Sequence, residues 1–359
     1  LYRVWRPQRF AEVVGQEQTV TALRNAVKED RLSHAYIFTG PRGTGKTSIA
    51  KILAKAVNCE NRQDGEPCNE CSSCRDINNG NFMDVIEIDA ASNRGIDEIR
   101  DLREKVRVLP AQGKKKVYII DEVHMLTTEA FNALLKTLEE PPQSVIFILA
   151  TTEPQKIPST ILSRCQKYSF KRLTLGQIDS RLEDVARNSG IDIEKDALKL
   201  IARRANGGMR DALGMLDQLY AYQDKKISRD DVLEVLGLVD DLYVARLVDA
   251  VLADDAGSIV RMLDSALIQG KEALQLSREI ALYLRDLLLY SLVGAEASMQ
   301  MVGDAAMEYV KRQAQKARPE QLLQCINLVM ETGEKLRFSD NHRFLLEMAL
   351  LKLATVFVQ

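Results

Sequence analysis

With 359 residues, 46% of them hydrophobic and 28% charged, the chain is too long for one compact core, and two or three globular domains are expected. A formal net charge of −2 excludes an overall electrostatic bias toward nucleic acid, while a local basic groove stays allowed because the field follows charge distribution. No apolar run reaches the roughly 18 residues of a membrane span. The start LYRVWRPQRF lacks the apolar core of a secretory signal, and six cysteines with four clustered are not a disulfide framework, so a cytoplasmic protein without membrane contact is expected. The chain begins at Leu1 and not Met, so one or more preceding residues are expected.

In chain order, QTVTALRNAVK has helical spacing, HAYIFTG is a short apolar strand ending at Gly40, and TSIAKILAKAVN is helical again. After a polar loop bearing cysteines, MDVIEIDA is a strand. GIDEIRDLREKVR then places Ile96, Ile99, Leu102 and Val106 on one helical face. KVYIIDE is a strand, TTEAFNALLKTLEE a helix stopped by Pro141 and Pro142, and SVIFILATT a strand. Such alternation implies a parallel sheet covered on both faces, with ligands at the carboxyl ends of its strands. From about Leu173 the strand signal disappears. Short helices end near Gly190 and Gly207-Gly208, and longer amphipathic helices follow Gly237, one of them opened by Pro319. The expected organisation is an α/β domain over residues 1–170 with the cysteine-bearing segment at 58–80, a small helical domain over 171–237, and a larger all-α domain over 238–359.

GPRGTGKT, Gly40 to Thr47, matches G-x-x-x-x-G-K-T between a strand and a helix. Its glycines let backbone N–H groups turn toward phosphate oxygens, and the helix N-terminus adds positive potential. Gly40, Pro41, Arg42, Gly43, Thr44, Gly45, Lys46, Thr47 and Ser48 are therefore the candidate phosphate-binding residues. Lys46 is expected to meet the β- and γ-phosphates and the Thr47 hydroxyl to bind Mg²⁺. Asp121, at the end of an apolar strand, is placed to hold Mg²⁺ through water, and Glu122 to orient the attacking water. Together they specify nucleotide hydrolysis.

ILATTEP puts Thr151 and Thr152 at the end of the next strand, where a hydroxyl is expected to touch the γ-phosphate or the water. ILSRCQ puts Arg164 at the end of a short helix starting near Pro158, without an obvious partner in its own nucleotide site. The bland reading of Arg164 is a surface cation. GGMRDAL supplies Arg210, which is expected to reach back over the phosphates.

Cys59, Cys68, Cys71 and Cys74 are spaced C-x8-C-x2-C-x2-C. Four thiolates close a tetrahedral Zn²⁺ site with no open position, so the metal is expected to be structural. An iron–sulfur cluster is the competing reading, although the spacing differs from either ferredoxin pattern. Buried free thiols are a third, disfavoured by the surrounding Asn, Glu and Ser. Cys165 and Cys325 read as packing residues.

HAYIFTGPRGTGKTSIAK, IIDEVHMLTTEAFNALLKTLEEPP, ILATTEPQKIPSTILSRCQ and GGMRDAL resemble the AAA+ clamp-loader ATPases of bacterial DNA replication. The resemblance runs from WRPQRFAEVVGQE through the C-terminal helices. It implies a P-loop AAA+ domain, a lid and a helical collar, with ATP and Mg²⁺ as cofactors. It also implies Zn²⁺ in the cysteine module that bacterial members carry at this point. By the same resemblance Arg164 acts in the neighbouring subunit's ATP site, Thr152 and Arg210 sense nucleotide, and Arg6, Pro7, Val14 and Gln16 pack adenine.

The implied partners are other clamp-loader subunits in a hetero-pentameric ring, a sliding clamp, and primed DNA contacted through phosphates without sequence preference. The implied place of action is the replisome at the nucleoid. Two other readings stay open. One is a helicase, suggested by DEVH but lacking a second motor domain. The other is a non-hydrolysing scaffold, against which Lys46, Asp121 and Glu122 all count. No polymerase active site is legible, so any link to a polymerase would be through membership of its holoenzyme.

Overall fold

Strand pairing sets the frame for everything near the phosphate loop. The structure, a computed structural model, describes residues 1–93, 102, 104–222, 225–294 and 302–358. It divides into two units, one formed by Leu1–Ser189 with Ala205–Asp217, the other by Gly190–Arg204 with Gln218–Gln359. In the first unit, β1 (Ala35–Thr39), β2 (Val85–Asp89), β3 (Lys116–Asp121), β4 (Val145–Thr151) and β5 (Gln166–Ser169) form a parallel sheet in the order β2-β3-β4-β1-β5. The three inner strands are near-continuous apolar runs because both their faces are covered.

The period-two alternation of side chains sorts these runs into two cores. Tyr36, Phe38, Ile119 and Ile148 pack with Leu23 of α1 (Glu17–Lys28) and Ile49, Ile52 and Leu53 of α2 (Lys46–Asn58). After the cysteine loop and its short helix α3 (Ser72–Asn79), the opposite face takes Ile37, Tyr118, Ile120, Phe147 and Leu149 against Leu134 and Leu138 of α4 (Thr128–Glu139). Thr127 caps α4 by accepting the Ala130 N–H at 3.3 Å, and Pro141 and Pro142 follow its end. Leu102 and Val106 are buried in the same core, whereas Ile96 and Ile99 lie outside the described residues.

Strand β5 was not expected. QKYS is short and polar, so it carries no periodic signal of its own. It is an edge strand held by pairing with β1 and by Tyr168, whose ring meets Phe38 edge-on at 6.0 Å. The connection from β4 to β5 contains α5 (Ser159–Leu162), and the chain then enters α6 (Leu175–Asn188) through a capping box between Thr174 and Gln177.

The second unit is helical. It contains α7 (Lys195–Arg204), the last turn of α8 (Met209–Tyr222), and α9 (Arg229–Val235). The helices α10 (Asp241–Leu252), α11 (Ala256–Ile268), α12 (Ala273–Val293), α13 (Met307–Ala314), α14 (Pro319–Leu336) and α15 (His342–Val358) follow. Val248, Leu263, Ile280, Leu287, Val329 and Leu350 lie in its core, and Cys325 is buried there as a packing residue. Polar groups inside this core are paired. Tyr283 donates to Gln313 Oε1 at 2.7 Å, and Gln313 Nε2 donates to the Ala245 carbonyl at 2.8 Å. Arg204 on α7 meets the fully buried Glu279 of α12 at 2.5 Å. Among the described residues no helix is long and apolar enough to cross a membrane.

Phe147 of β4 stacks on its cross-strand partner Tyr118 of β3 with ring centroids 5.4 Å apart and is completely buried on that face of the sheet. Phe147→Ala is expected to destabilise the sheet-containing unit by about 3–5 kcal/mol, read as a lowered urea midpoint of its unfolding transition.

Candidate functional site

The carboxyl ends of β2 and β3 and the loop that follows β1 meet at one cavity of about 550 Å³, lined by Arg42–Ser48, Asp89, Asp121 and Glu122 together with N-terminal residues. The loop leaves β1 at Gly40, whose N–H donates to the Thr151 carbonyl at 3.2 Å. Gly40 has φ of 146°, and a Cβ there would lie 2.3 Å from the Phe170 carbonyl oxygen, so glycine is required at this turn. Gly45 caps α2 with φ of 99°, leaving the first N–H groups of α2 free to face an anion. On the other side, the Met209 N–H donates to the Gly43 carbonyl at 3.0 Å, so the start of α8 sits on the loop.

Lys46 is nearly buried, and its ammonium donates to the Gly40 and Pro41 carbonyls, each at 2.8 Å. Burial lowers its pKa, opposed by Glu122 and Asp121. The Thr47 hydroxyl donates to Asp121 Oδ2 at 2.6 Å, joining the first turn of α2 to the end of β3. Glu122 adopts a left-handed φ of 48°, a sparsely populated conformation for a residue with a side chain, and accepts the Thr152 hydroxyl at 3.0 Å.

Thr151 does not share this position. It is fully buried, and its hydroxyl pairs with His124 Nδ1 at 3.0 Å, because neighbours on a strand point to opposite faces. His124 also lies 3.4 Å from Glu122 and 3.3 Å from Glu153. Its place between these two carboxylates was not anticipated from DEVH, where only the acidic pair carried a signal.

Arg6, Pro7 and Val14 line the cavity, and Arg6 Nε donates to the Ser48 hydroxyl at 3.0 Å. Gln16 does not line it. Its side chain donates to the Lys171 carbonyl at 2.7 Å and accepts the Lys171 N–H at 3.0 Å, holding the chain just beyond β5. The same side-chain amide lies 3.5 Å from the Thr44 carbonyl, so Gln16 stands beside the phosphate loop and outside the cavity lining. Tyr2, Trp5 and Arg181 also line the cavity, which no motif signalled. Arg210 lines it from α8 with its guanidinium 5.6 Å from the Tyr2 ring centre. Arg164 faces elsewhere. It pairs with Glu139 at 2.9 Å and donates to the Thr160 carbonyl at 2.7 Å.

The four clustered cysteines meet as their spacing requires. Cys59 follows α2, Cys71 caps α3, and the four sulfurs lie within 4.8 Å of one another. Cys59–Cys71 and Cys68–Cys74 sulfurs are each 4.0 Å apart, close to the edge of about 3.8 Å that a tetrahedron with 2.3 Å zinc–sulfur bonds has. Backbone N–H groups of Cys68, Cys71 and Cys74 point at cysteine sulfurs. At Cys68 burial opposes ionisation, but the N–H groups of Cys71 and Glu70 outweigh it and lower the thiol to about 6.

Three family models match in succession. They are DNA polymerase III, delta subunit, over residues 15–174; DNA polymerase III clamp loader subunit, ATPase lid domain, over 177–225; and DNA polymerase III subunits gamma and tau domain III, over 227–358. DNA polymerase III subunit gamma of Buchnera aphidicola from Acyrthosiphon pisum is 36% identical over 98% of this chain and 97% of its own length. The chain belongs to the DNA polymerase III gamma/tau clamp-loader family.

DNA polymerase III subunit tau of Bacillus subtilis is 46% identical over 98% of this chain, and that of Escherichia coli 43% over 98%. This gamma/tau relative spans 62% and 54% of their respective lengths. A RuvB mutant from Thermotoga maritima matches with a TM-score of 0.50 at 20% identity, over 69% of this chain and 80% of that one, which is a likeness of fold alone.

The crowding at Gly40 makes a direct test of the loop. Gly40→Ala is expected to cost about 2–3 kcal/mol of stability through the positive φ and the clash with the Phe170 carbonyl, measured by chemical denaturation.

Proposed function

We propose that this chain is the ATP-hydrolysing subunit of a bacterial clamp loader, assembling with other clamp-loader subunits into a hetero-pentameric ring that places the sliding clamp on primed DNA. The observation that carries this reading is the chain of hydrogen bonds Thr47–Asp121 and Thr152–Glu122 on the wall of a phosphate-loop cavity. Residues 1–170 act as the AAA+ nucleotide-binding domain, 171–237 as the lid and 238–359 as the collar; the family models change over near the first of these boundaries, between 174 and 177, and the third begins at 227, ahead of the second. The chemistry is phosphoanhydride hydrolysis and not nucleotidyl transfer. Its setting is the replisome in the cytoplasm, with DNA held through its phosphates.

ATP binds with its phosphates along Gly40–Ser48 and its adenine against Arg6, Pro7 and Val14. Lys46 exchanges the Gly40 and Pro41 carbonyls for the β- and γ-phosphates. Thr47, and Asp121 through water, would hold Mg²⁺, which would supply charge neutralisation at the phosphates. Glu122 accepts a proton from the attacking water as its oxygen bonds to the γ-phosphorus and the bond to the β–γ bridging oxygen breaks, leaving ADP and phosphate. Thr152, through its bond to Glu122, senses the γ-phosphate, and Arg210 senses it from α8. Arg164, paired outside its own cavity, is supplied to the site of the next subunit, so hydrolysis waits for assembly. Cys59, Cys68, Cys71 and Cys74 hold a structural Zn²⁺, a reading supported by their sulfur separations and by the N–H groups aimed at them.

Turnover with clamp and primed DNA tests the scheme. Lys46→Ala is expected to abolish nucleotide binding, and Glu122→Gln to keep binding while slowing turnover by about 10²–10⁴-fold. Arg164→Ala in the assembled complex is expected to slow it by about 10³–10⁵-fold, and an unaltered rate there would contradict the trans assignment. Elemental analysis should find one zinc per chain, lost in Cys74→Ser, whereas iron with a visible charge-transfer spectrum would replace zinc by a cluster.

A further inference from the structure

Residues 8–11 are fastened to the cysteine loop by a set of hydrogen bonds that nucleotide hydrolysis does not itself call for. Glu66, in the middle of the loop, accepts the N–H of Phe10 at 2.8 Å and of Ala11 at 3.0 Å. Arg9 donates to the Cys68 carbonyl at 3.2 Å. Lys55 is 1% exposed on α2, the helix that begins at the phosphate loop. Its ammonium donates to the Gln8 carbonyl at 2.9 Å, to Gln8 Oε1 at 2.6 Å and to Asn69 Oδ1 at 2.7 Å. Asn69 Nδ2 returns to the same Gln8 carbonyl at 3.3 Å. One buried cation therefore joins the phosphate-loop helix, the N-terminal segment and the cysteine loop.

The loop residues owe their orientation to the loop's own fold. Asn69 sits at a left-handed φ of 64° between Cys68 and Cys71, and the turn before Glu66 carries Asp64 at 50° and Gly65 at 80°. The fastened stretch is flanked on both sides by cavity wall. Arg6 and Pro7 precede it, and Glu12, Val13 and Val14 follow it. The only regular structure in this segment is the 3-10 turn Phe10–Glu12, so its place is set by side-chain contacts and not by a backbone ladder.

We propose that the four-cysteine loop braces the adenine side of the nucleotide cavity, with Glu66, Lys55 and Asn69 as positioning residues that set nucleotide affinity. The proposal rests on the reading of that cavity as an ATP site. A carboxylate taking two backbone N–H bonds, and a buried ammonium with three acceptors, are strong enough to matter to the placement of a short segment. The loop's shape in turn depends on its four sulfurs, because a segment of this size lacks an apolar core of its own.

The test measures binding of a fluorescent ATP analogue (mant-ATP with Mg²⁺) to the whole chain. Glu66→Gln and Lys55→Met are each expected to weaken it about tenfold, while turnover of the assembled complex at saturating ATP stays within about twofold. Amide hydrogen exchange at Phe10 and Ala11 should quicken in Glu66→Gln. Stripping the metal with a chelator should weaken binding by wild type and add little to the loss in Glu66→Gln. Glu60→Ala removes the acceptor of the Ser72 and Ser73 hydroxyls inside the loop without touching residues 8–11, and it should leave affinity unchanged. Should Lys55→Met fail to fold, Glu66→Gln decides. Unchanged affinity and exchange in Glu66→Gln, beside normal wild-type binding and none by Lys46→Ala, would overturn the brace and leave the ATP site standing. Absence of wild-type binding would remove both.

Discussion

The hydrogen bond from Thr47 to Asp121, 2.6 Å long, spans 74 residues of chain and closes the site. It exists because β1, β4 and β3 are parallel neighbours whose ends lie level, with Thr39 opposite Thr151 and Ile120 opposite Leu149. The phosphate loop then starts beside the end of β4 and its helix starts beside the end of β3. A register slip of one residue would turn Asp121 from the cavity to the opposite face, since side chains alternate along a strand. The apolar filling of both sheet faces holds that register, and the polar site borrows its accuracy from it.

Within this frame the Lys46 ammonium and the Asp121 carboxylate each have partners. Lys46 is satisfied by two carbonyls of its own loop, and Asp121 by the Thr47 hydroxyl and the Glu122 N–H. Burial without such bonds would cost several kcal/mol per ion. The strain at Glu122, with its left-handed backbone, turns its carboxylate to Thr152 and toward His124. Sites that hold a residue in such a conformation commonly use it in their chemistry.

Arg164 and the cysteine loop show two ways in which parts outside the cavity bear on it. Arg164 belongs to the connection between β4 and β5, yet Glu139 and the Thr160 carbonyl hold it apart from the phosphate loop of its own chain. On the proposed reading, that separation makes hydrolysis a property of the assembly. The cysteine loop leaves the end of the phosphate-loop helix and returns against residues 8–11, so a short segment without an apolar core meets the stretch of chain that joins two parts of the cavity wall.

The phosphate loop, the acidic pair, the cysteine spacing and the inner strands were determined by sequence alone. Each is a local pattern whose residue types answer a local demand: glycine for positive φ, apolar runs for burial on both faces, thiols at a spacing that lets one loop bring four sulfurs together. Tertiary structure decided the rest. It made QKYS a strand by pairing it with β1, turned Gln16 to the Lys171 backbone, and buried Thr151 while leaving Thr152 on Glu122. It also drew Tyr2 and Trp5 to the cavity and set His124 between two acids. None of these has a period or spacing that could announce it, because each is fixed by a partner distant in the chain and adjacent only after the sheet has formed.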